Sequence, residues 1–363
     1  MKTELLSLTL AELTVLVQSL GFPAFRAKQL IKYISGNANS ANVNANVNAK
    51  DFPDNSPDNF SHMTLLPAAM RDRLAGECLA NTVSIHREYA SNDGGVKYLY
   101  KLADGGIIEG VRMSYRYGDT LCVSTQVGCR MNCAFCASAL AGLERNLSAG
   151  EMAGQIACQT RPVNNVVLMG SGEPFDNYDE VTRFLRVIHE PLGMNIGMRR
   201  VSLSTCGLVD KIMRFADEEL RVTLCVSLHA PNDALRRELM PVAKANPLQD
   251  IMKACRHYFE RSGRRLIFEY ALINGVNDTD PLAAQLAALL RGLACHVNLI
   301  PLNSVKERGL IGSPRERVRA FHARLSELGI STTIRRSLAD DVAGACGQLR
   351  ISSLTQEQDS TLN

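Results

Sequence analysis

The chain has 363 residues, 40 of them basic and 37 acidic, for a formal net charge of +3. With 46% hydrophobic and 21% charged residues it has the make-up of a folded protein, which excludes a disordered chain. No stretch approaches the roughly 18 uninterrupted apolar residues of a membrane span. So small a charge does not signal nucleic-acid binding, for which only clustered charge would speak. The 11 cysteines are odd in number and lack regular spacing. That argues against a disulfide scaffold and for a reducing compartment with thiol or metal chemistry.

In chain order, the apolar N-terminus is interrupted by Glu4 and Glu12 and lacks a small-residue cleavage site, so it is not read as a signal peptide. Leu10, Leu13, Leu16, Val17 and Leu20 share one helical face, and Thr9 with Glu12 forms a capping-box pattern. The expectation is a cytoplasmic protein opening on an amphipathic helix. A basic amphipathic helix follows at residues 23–34 and another at 66–79. Between them, residues 37–59 begin NANSANVNANVNAK and carry too few large apolar groups to offset their own ordering entropy. Residues 1–80 thus read as a helical accessory domain with a flexible Asn-rich insertion.

Residues 81–118 read as a small antiparallel β extension. Polar and apolar residues alternate there around two turns, Asn92-Asp93-Gly94-Gly95 and Asp104-Gly105-Gly106. From 119 to 336 the pattern becomes α/β. Strand-like runs at 121–127, 166–169, 201–205, 222–228, 266–272 and 297–301 alternate with helical segments at 148–159, 178–188, 248–261, 281–290 and 314–328. Alternation of this kind implies a parallel sheet with right-handed crossovers. Six units are too few to close an eight-fold barrel, so a partial (β/α)6 barrel is expected, with ligand residues at the C-terminal ends of its strands. Residues 337–363 form a C-terminal segment.

The unusual residues fall at those strand ends. Cys129-Arg-Met-Asn-Cys133-Ala-Phe-Cys136 follows the first barrel strand as C-x3-C-x2-C. Three thiolates can hold three irons of a [4Fe-4S] cubane and leave one iron open. A structural zinc would want a fourth ligand, which the loop does not supply, though a remote one could complete it. After the second strand comes Met169-Gly170-Ser171-Gly172-Glu173-Pro174, where glycines permit close ligand approach and the acid can accept from an ammonium. Ser204, then Ser227, Leu228 and His229, then Asn303 mark later strand ends. Singly each reads as a cap or turn residue. Together they outline a ligand site.

The cysteine loop, with an aromatic before its last cysteine, resembles the radical S-adenosylmethionine superfamily, and MGSGEP resembles that group's GGE motif. The runs CVSTQVGCRMNCAFCASALAGLERNL, RRVSLSTCG, SLHAPND, NLIPLN and ACGQL extend the likeness to the RlmN/Cfr family of radical S-adenosylmethionine RNA methyltransferases. It covers most of the chain from about Leu66 to Leu349. The resemblance implies Cys129, Cys133 and Cys136 as cluster ligands. It also implies Gly172, Glu173, Ser204, Ser227, Leu228, His229 and Asn303 as S-adenosylmethionine-binding positions. By the same likeness Cys346 carries a methyl from a first S-adenosylmethionine, Cys122 later forms a transient disulfide with it, and Glu109 is the proton acceptor.

The implied reaction methylates carbon 2 of an adenosine in 23S rRNA, with some tRNA as further substrate. It implies a cytoplasmic monomer served by an electron donor such as flavodoxin. Arg26, Lys28, Lys32, Arg199, Arg200, Arg335 and Arg336 are candidate phosphate contacts. The sequence departs from the family pattern at Ser171, at Leu302 and in the approach to Cys346, where a glycine and an acid are missing. A carbon-8 methylase, a diverged paralogue with another RNA target, a radical enzyme without methyl transfer and a zinc-stabilised RNA-binding module are the alternatives.

Overall fold

The structure is a computed structural model and describes residues 2–36, 60–303 and 305–335. The two-residue strand β1 (Thr3–Glu4) and a 3-10 turn at Leu5–Ser7 precede helix α1 (Leu10–Ser19). α1 starts where expected because Thr9 and Glu12 complete a reciprocal capping box, satisfying two of the otherwise open backbone donors. α2 (Phe25–Ile34) buries Ala27, Leu30, Ile31, Tyr33 and Ile34. α3 (Ala68–Glu77) ends in β2 (Cys78–Leu79), which pairs with β1.

The extension consists of β3 (Val83–Ala90), β4 (Val96–Leu102) and β5 (Ile107–Tyr115). It is antiparallel as expected, with Gly94 and Gly105 at positive φ in the two connecting turns. It is not free-standing, however. β5 pairs antiparallel with β6 (Gly118–Cys122), the first strand of the parallel sheet.

The run expected as one strand over 121–127 is divided. β6 stops at Cys122, and β7 (Gln126–Gly128) instead pairs with β8 (Leu143–Asn146). The chain must leave the sheet here to frame the cysteine loop. Gly128 makes that exit possible: its φ is +79°, and a Cβ would lie 2.0 Å from the Gly142 carbonyl oxygen.

After α4 (Ala149–Ala157) come β9 (Asn165–Leu168), α5 (Tyr178–His189), β10 (Val201–Thr205), α6 (Val209–Ala216), β11 (Thr223–Ser227) and α7 (Asp233–Leu239). They are followed by α8 (Leu248–Ser262), β12 (Leu266–Leu272), α9 (Asp280–Leu290), β13 (Cys295–Pro301), α10 (Arg315–Glu327) and β14 (Thr332–Ile334). The strand order β14-β13-β12-β11-β10-β9-β6-β5-β4-β3 makes one sheet with seven parallel and three antiparallel strands. β14 and β3 are its two edges, so the barrel is partial. The short elements α6, α7 and β14 were not anticipated.

Valine, leucine and isoleucine of the parallel strands pack against the apolar faces of the helices in one continuous core. The N-terminal segment docks on α4. Ser148 Oγ donates to Glu4 Oε2 at 2.6 Å, and the Gly150 N–H donates to Ser7 Oγ at 2.8 Å. Among the described residues no helix is long and apolar enough to cross a membrane.

Candidate active site

A cavity of about 320 Å³ opens where the parallel strands end. Cys122 closes β6, Met169 to Glu173 follow β9, Ser204 to Cys206 end β10, and Ser227 with His229 end β11. Glu269 on β12, Asn303 after β13 and Arg335 after β14 complete the ring. Cys129, Cys133 and Cys136 form its outer wall.

The cysteine loop is held from several directions. The Cys129 N–H donates to Gly142 O at 2.9 Å and the Ala134 N–H to Leu239 O at 2.8 Å. Arg308 donates to Asn132 Oδ1 at 3.0 Å and to Cys136 O at 3.3 Å. Asn132, at the loop's tip, has φ of 50°, a left-handed turn that asparagine tolerates better than most side chains. Among the described residues no cysteine is in a disulfide. Burial, opposed by a hydrogen bond from the Met131 backbone, pushes the Cys129 thiol up to about 12; burial and the neighbouring thiols push Cys133 higher still.

The donor set fits an iron–sulfur cluster. Three soft thiol donors share one wall, anchored through backbone contacts, and would be deprotonated by a bound metal. Among the described residues no three His, Cys, Asp or Glu side chains converge as ligands of a single ion. A cubane takes each thiolate on a different iron.

Beside the loop, Gly172 has φ of +104° and sits so close to Gln126 that a Cβ would clash at 2.6 Å. Its compactness lets Gln126 Oε1 accept from the Glu173 N–H at 2.9 Å, while Gln126 Nε2 donates to Asn146 and Asp176. Glu173 is buried, which raises its carboxyl, while N–H groups of Cys206 (2.7 Å) and Phe175 (3.0 Å) favour its charged form. The result is a fixed acceptor at the cavity, suited to an ammonium group.

On the opposite side Ser204 Oγ donates to Glu269 Oε2 at 2.5 Å and Ser227 Oγ to the same oxygen at 3.3 Å. His229 lies at a strained φ of 56° and accepts at Nδ1 from the Ala271 N–H at 2.9 Å. That bond assigns its hydrogen to Nε2. Burial, reinforced by the Arg236 charge, pushes the ring down to about 3, so it stays neutral at working pH. Asn277 Nδ2 braces the same turn by donating to His229 O and Ala271 O.

Not every expected residue meets the cavity. Leu228 is buried in the core and does not line the cavity, and its N–H donates to Glu269 O at 3.0 Å. Glu109 lies behind the lining on β5, ion-paired at 3.3 Å with Lys97, and both side chains are buried. Its same-face neighbours Val111 and Met113 do line the cavity, as does Cys122. Cys346 and Arg336 lie outside the described residues. Lys28, Lys32, Arg199 and Arg200 are exposed, whereas Arg26 packs over Phe25 and donates to Leu65 O.

Several functional candidates escaped the reading of the sequence. Cys206, next to the strand-end Ser204, lines the cavity. Glu269 sits as an acid inside the apolar run LIFEYAL, a hint that names no partner, and Lys97 and Arg236, which fold to complete burial, carried no signal in the sequence. Gln126 had no signal beyond its nearness to the cysteines.

Comparison with known proteins adds three findings. The model of the Radical SAM superfamily matches residues 123–288. A protein of Thermoanaerobacter sp. (strain X514) named "Probable dual-specificity RNA methyltransferase RlmN" is 46% identical over 347 residues, covering 94% of this chain and 96% of its own. One of the same name from Geobacillus kaustophilus (strain HTA426) is 44% identical over 358 residues, covering 97% and 93%. The crystal structure of a radical SAM methyltransferase from Sphaerobacter thermophilus matches with a TM-score of 0.86 at 42% identity, covering 95% of this chain and 98% of that one.

Proposed function

The chain belongs to the RlmN family of radical S-adenosylmethionine RNA methyltransferases, and from that premise we propose that it methylates carbon 2 of an adenosine in 23S rRNA and in some tRNA. The family's cofactors are a [4Fe-4S] cluster and S-adenosylmethionine. The observation that carries the reading is one cavity lined by the three loop cysteines, the acceptor Glu173 and the separate thiol Cys122.

Cys129, Cys133 and Cys136 are proposed to hold the cluster. Gly172, Glu173, Ser204, Ser227, Leu228, His229 and Asn303 are proposed to hold S-adenosylmethionine, Leu228 through its backbone. Bound there and reduced by one electron, these cofactors supply a 5′-deoxyadenosyl radical, a hydrogen-atom acceptor. Carbon 2 of adenine is an electron-poor amidine carbon and is no nucleophile towards a sulfonium methyl. The reading therefore places the methyl first on Cys346, as a thioether.

Loss of one hydrogen atom from that methyl leaves a carbon radical on Cys346, which adds to carbon 2. The adduct then gives up one electron, with the cluster, left oxidised by the radical-forming step, as its acceptor, and Glu109 takes the carbon-2 proton. The Cys122 thiolate attacks the Cys346 sulfur, the protein–carbon bond breaks, and the released carbon takes a proton to become the product methyl. The Cys122–Cys346 disulfide formed is reset by two electrons from a thiol reductant.

The electron that first reduces the cluster comes from a low-potential carrier such as flavodoxin, and the enzyme is read as a cytoplasmic monomer. Residues 1–80, 81–118, 119–336 and 337–363 are its proposed accessory, extension, barrel and cysteine-bearing units. Arg335 and Arg336 are proposed to meet RNA phosphates near the cavity mouth, with Arg26, Lys28 and Lys32 as further contacts. Arg199 and Arg200 immediately precede β10 and so stand at the end of the sheet away from the cavity, which removes them from its mouth. Mass spectrometry of rRNA and tRNA from cells with and without the gene tests the assignment. Loss of 2-methyladenosine on deletion is expected; an unchanged profile, or loss of a carbon-8 methyl instead, overturns it.

A further inference from the structure

Arg236 is among the largest side chains buried completely in the structure. Its guanidinium donates to three carbonyls: Cys206 O at 2.6 Å, Asn246 O at 3.3 Å and Ser227 O at 3.4 Å. Its Nε has no partner. Among the described residues no carboxylate lies within ion-pair distance of it. Neutral carbonyls satisfy hydrogen-bond directions but not the charge itself. The one carboxylate within electrostatic reach among the described residues, Asp233 one turn earlier on α7, forms no ion pair with it. The charge is therefore only partly compensated, an expensive state for a buried ion.

The surroundings indicate where the missing negative charge belongs. Two of the three carbonyls are those of Cys206 and Ser227, whose residues line the cavity with the loop cysteines. α7, which carries Arg236, ends at Leu239, whose carbonyl accepts from Ala134 inside the cysteine loop. Leu239, Met240 and Cys206 form an apolar cluster against Met131, Cys133 and Phe135 of that loop. The guanidinium is therefore packed beneath the loop, within electrostatic reach of Cys133 and Cys206.

We propose that Arg236 is the buried counter-charge of the iron–sulfur site and acts as a positioning residue that favours its reduced state. The proposal rests on the reading of Cys129, Cys133 and Cys136 as cluster ligands. Three thiolates on a doubly positive cubane core make a net negative group, and one added electron makes it more negative by one charge. A fixed cation in a low-dielectric interior stabilises the second state more than the first. The electron comes from a low-potential one-electron donor, and no bond forms or breaks at Arg236.

The test is a mediator-coupled redox titration, followed by electron paramagnetic resonance, of anaerobically reconstituted full-length protein. Arg236→Lys keeps the charge and is expected to keep the midpoint. Arg236→Met and Arg236→Gln remove it and should lower the reduced-to-oxidised ratio at a fixed potential about tenfold, equivalent to a midpoint about 59 mV lower for one electron. Asn246→Asp sets a carboxylate beside Arg236 without removing any group that Arg236 bonds, and should shift the midpoint the same way. A neutral variant with wild-type iron content and an unchanged midpoint overturns the proposal. Should both neutral variants fail to hold iron, an unchanged midpoint in Asn246→Asp overturns it. A wild type that binds no iron overturns the cluster reading instead, and this inference with it.

Discussion

Glu173 shows how much of the site is set by backbone groups brought from elsewhere. Its carboxylate is gripped by N–H groups of Phe175, two residues on, and of Cys206, thirty-three residues on. Glu173→Gln replaces one acceptor oxygen with a donor facing those N–H groups. A charged hydrogen bond contributes about 1.5–3 kcal/mol, so affinity for S-adenosylmethionine should fall by about 10- to 150-fold. Equilibrium binding to the cluster-loaded protein measures this, and an unchanged affinity would remove Glu173 from the cofactor site.

His229 carries a pH signature. Its folded value is near 3 and its ordinary value 6.5, because burial and then Arg236 disfavour the imidazolium. Between those pH values the unfolded chain binds a proton that the native state refuses. Stability is therefore unaffected above about pH 6.5 and falls as pH drops through that window, by up to about 1.4 kcal/mol per pH unit. Urea unfolding at pH 7.5 and 5.5 should show wild type losing more stability than His229→Gln. Equal losses would show that the ring titrates normally. The cysteine loop was legible in the sequence because its ligands are spaced locally. Glu269 and Arg236 were not, because Ser204 and Asn246, their partners, acquire meaning only once the strands are aligned.

Elements were legible in proportion to their length and to the chemistry at their ends. α1 announces itself through Thr9 and Glu12, and the β3–β4 and β4–β5 turns through Gly94 and Gly105. α6, α7 and β14 span only eight, seven and three residues, too few for a periodic pattern to separate from chance. The break between β6 and β7 was hidden because Leu121, Cys122, Val123, Thr125 and Val127 all suit a strand; only Gly128, where the backbone turns left-handed against Gly142, marks the exit. Gly128→Ala should cost about 3 kcal/mol or more from the strained φ and the displaced Gly142 carbonyl, and should lower iron content as the loop shifts. Thermal melting and iron analysis check both; wild-type values in each would mean that the loop does not depend on that close approach.

At the scale of the whole molecule, alternating strands and helices disclosed the partial barrel, since each β/α unit is local in sequence. The edge-on union of β5 with β6 was not disclosed. Antiparallel extension and parallel barrel look like separate units until Val111 is seen opposite Cys122. That union matters for function: it puts Glu109 and Lys97 on strands continuous with the one that ends at Cys122. Cys122→Ala should consequently leave radical addition intact and trap a covalent protein–RNA adduct, visible as a slow band on denaturing gels and absent when Cys346 is also replaced. Free methylated RNA at normal yield from Cys122→Ala would deny Cys122 its resolving role.

The most direct measurement concerns the hydrogens of the transferred methyl. Enzyme whose Cys346 has been methylated from S-adenosylmethionine bearing a trideuterated methyl is given RNA, and the product nucleoside is weighed. Parking the methyl on Cys346 and removing one hydrogen from it predicts a product that retains two deuterium atoms, with the third in 5′-deoxyadenosine. A product retaining all three would mean direct transfer of an intact methyl, and would contradict the account.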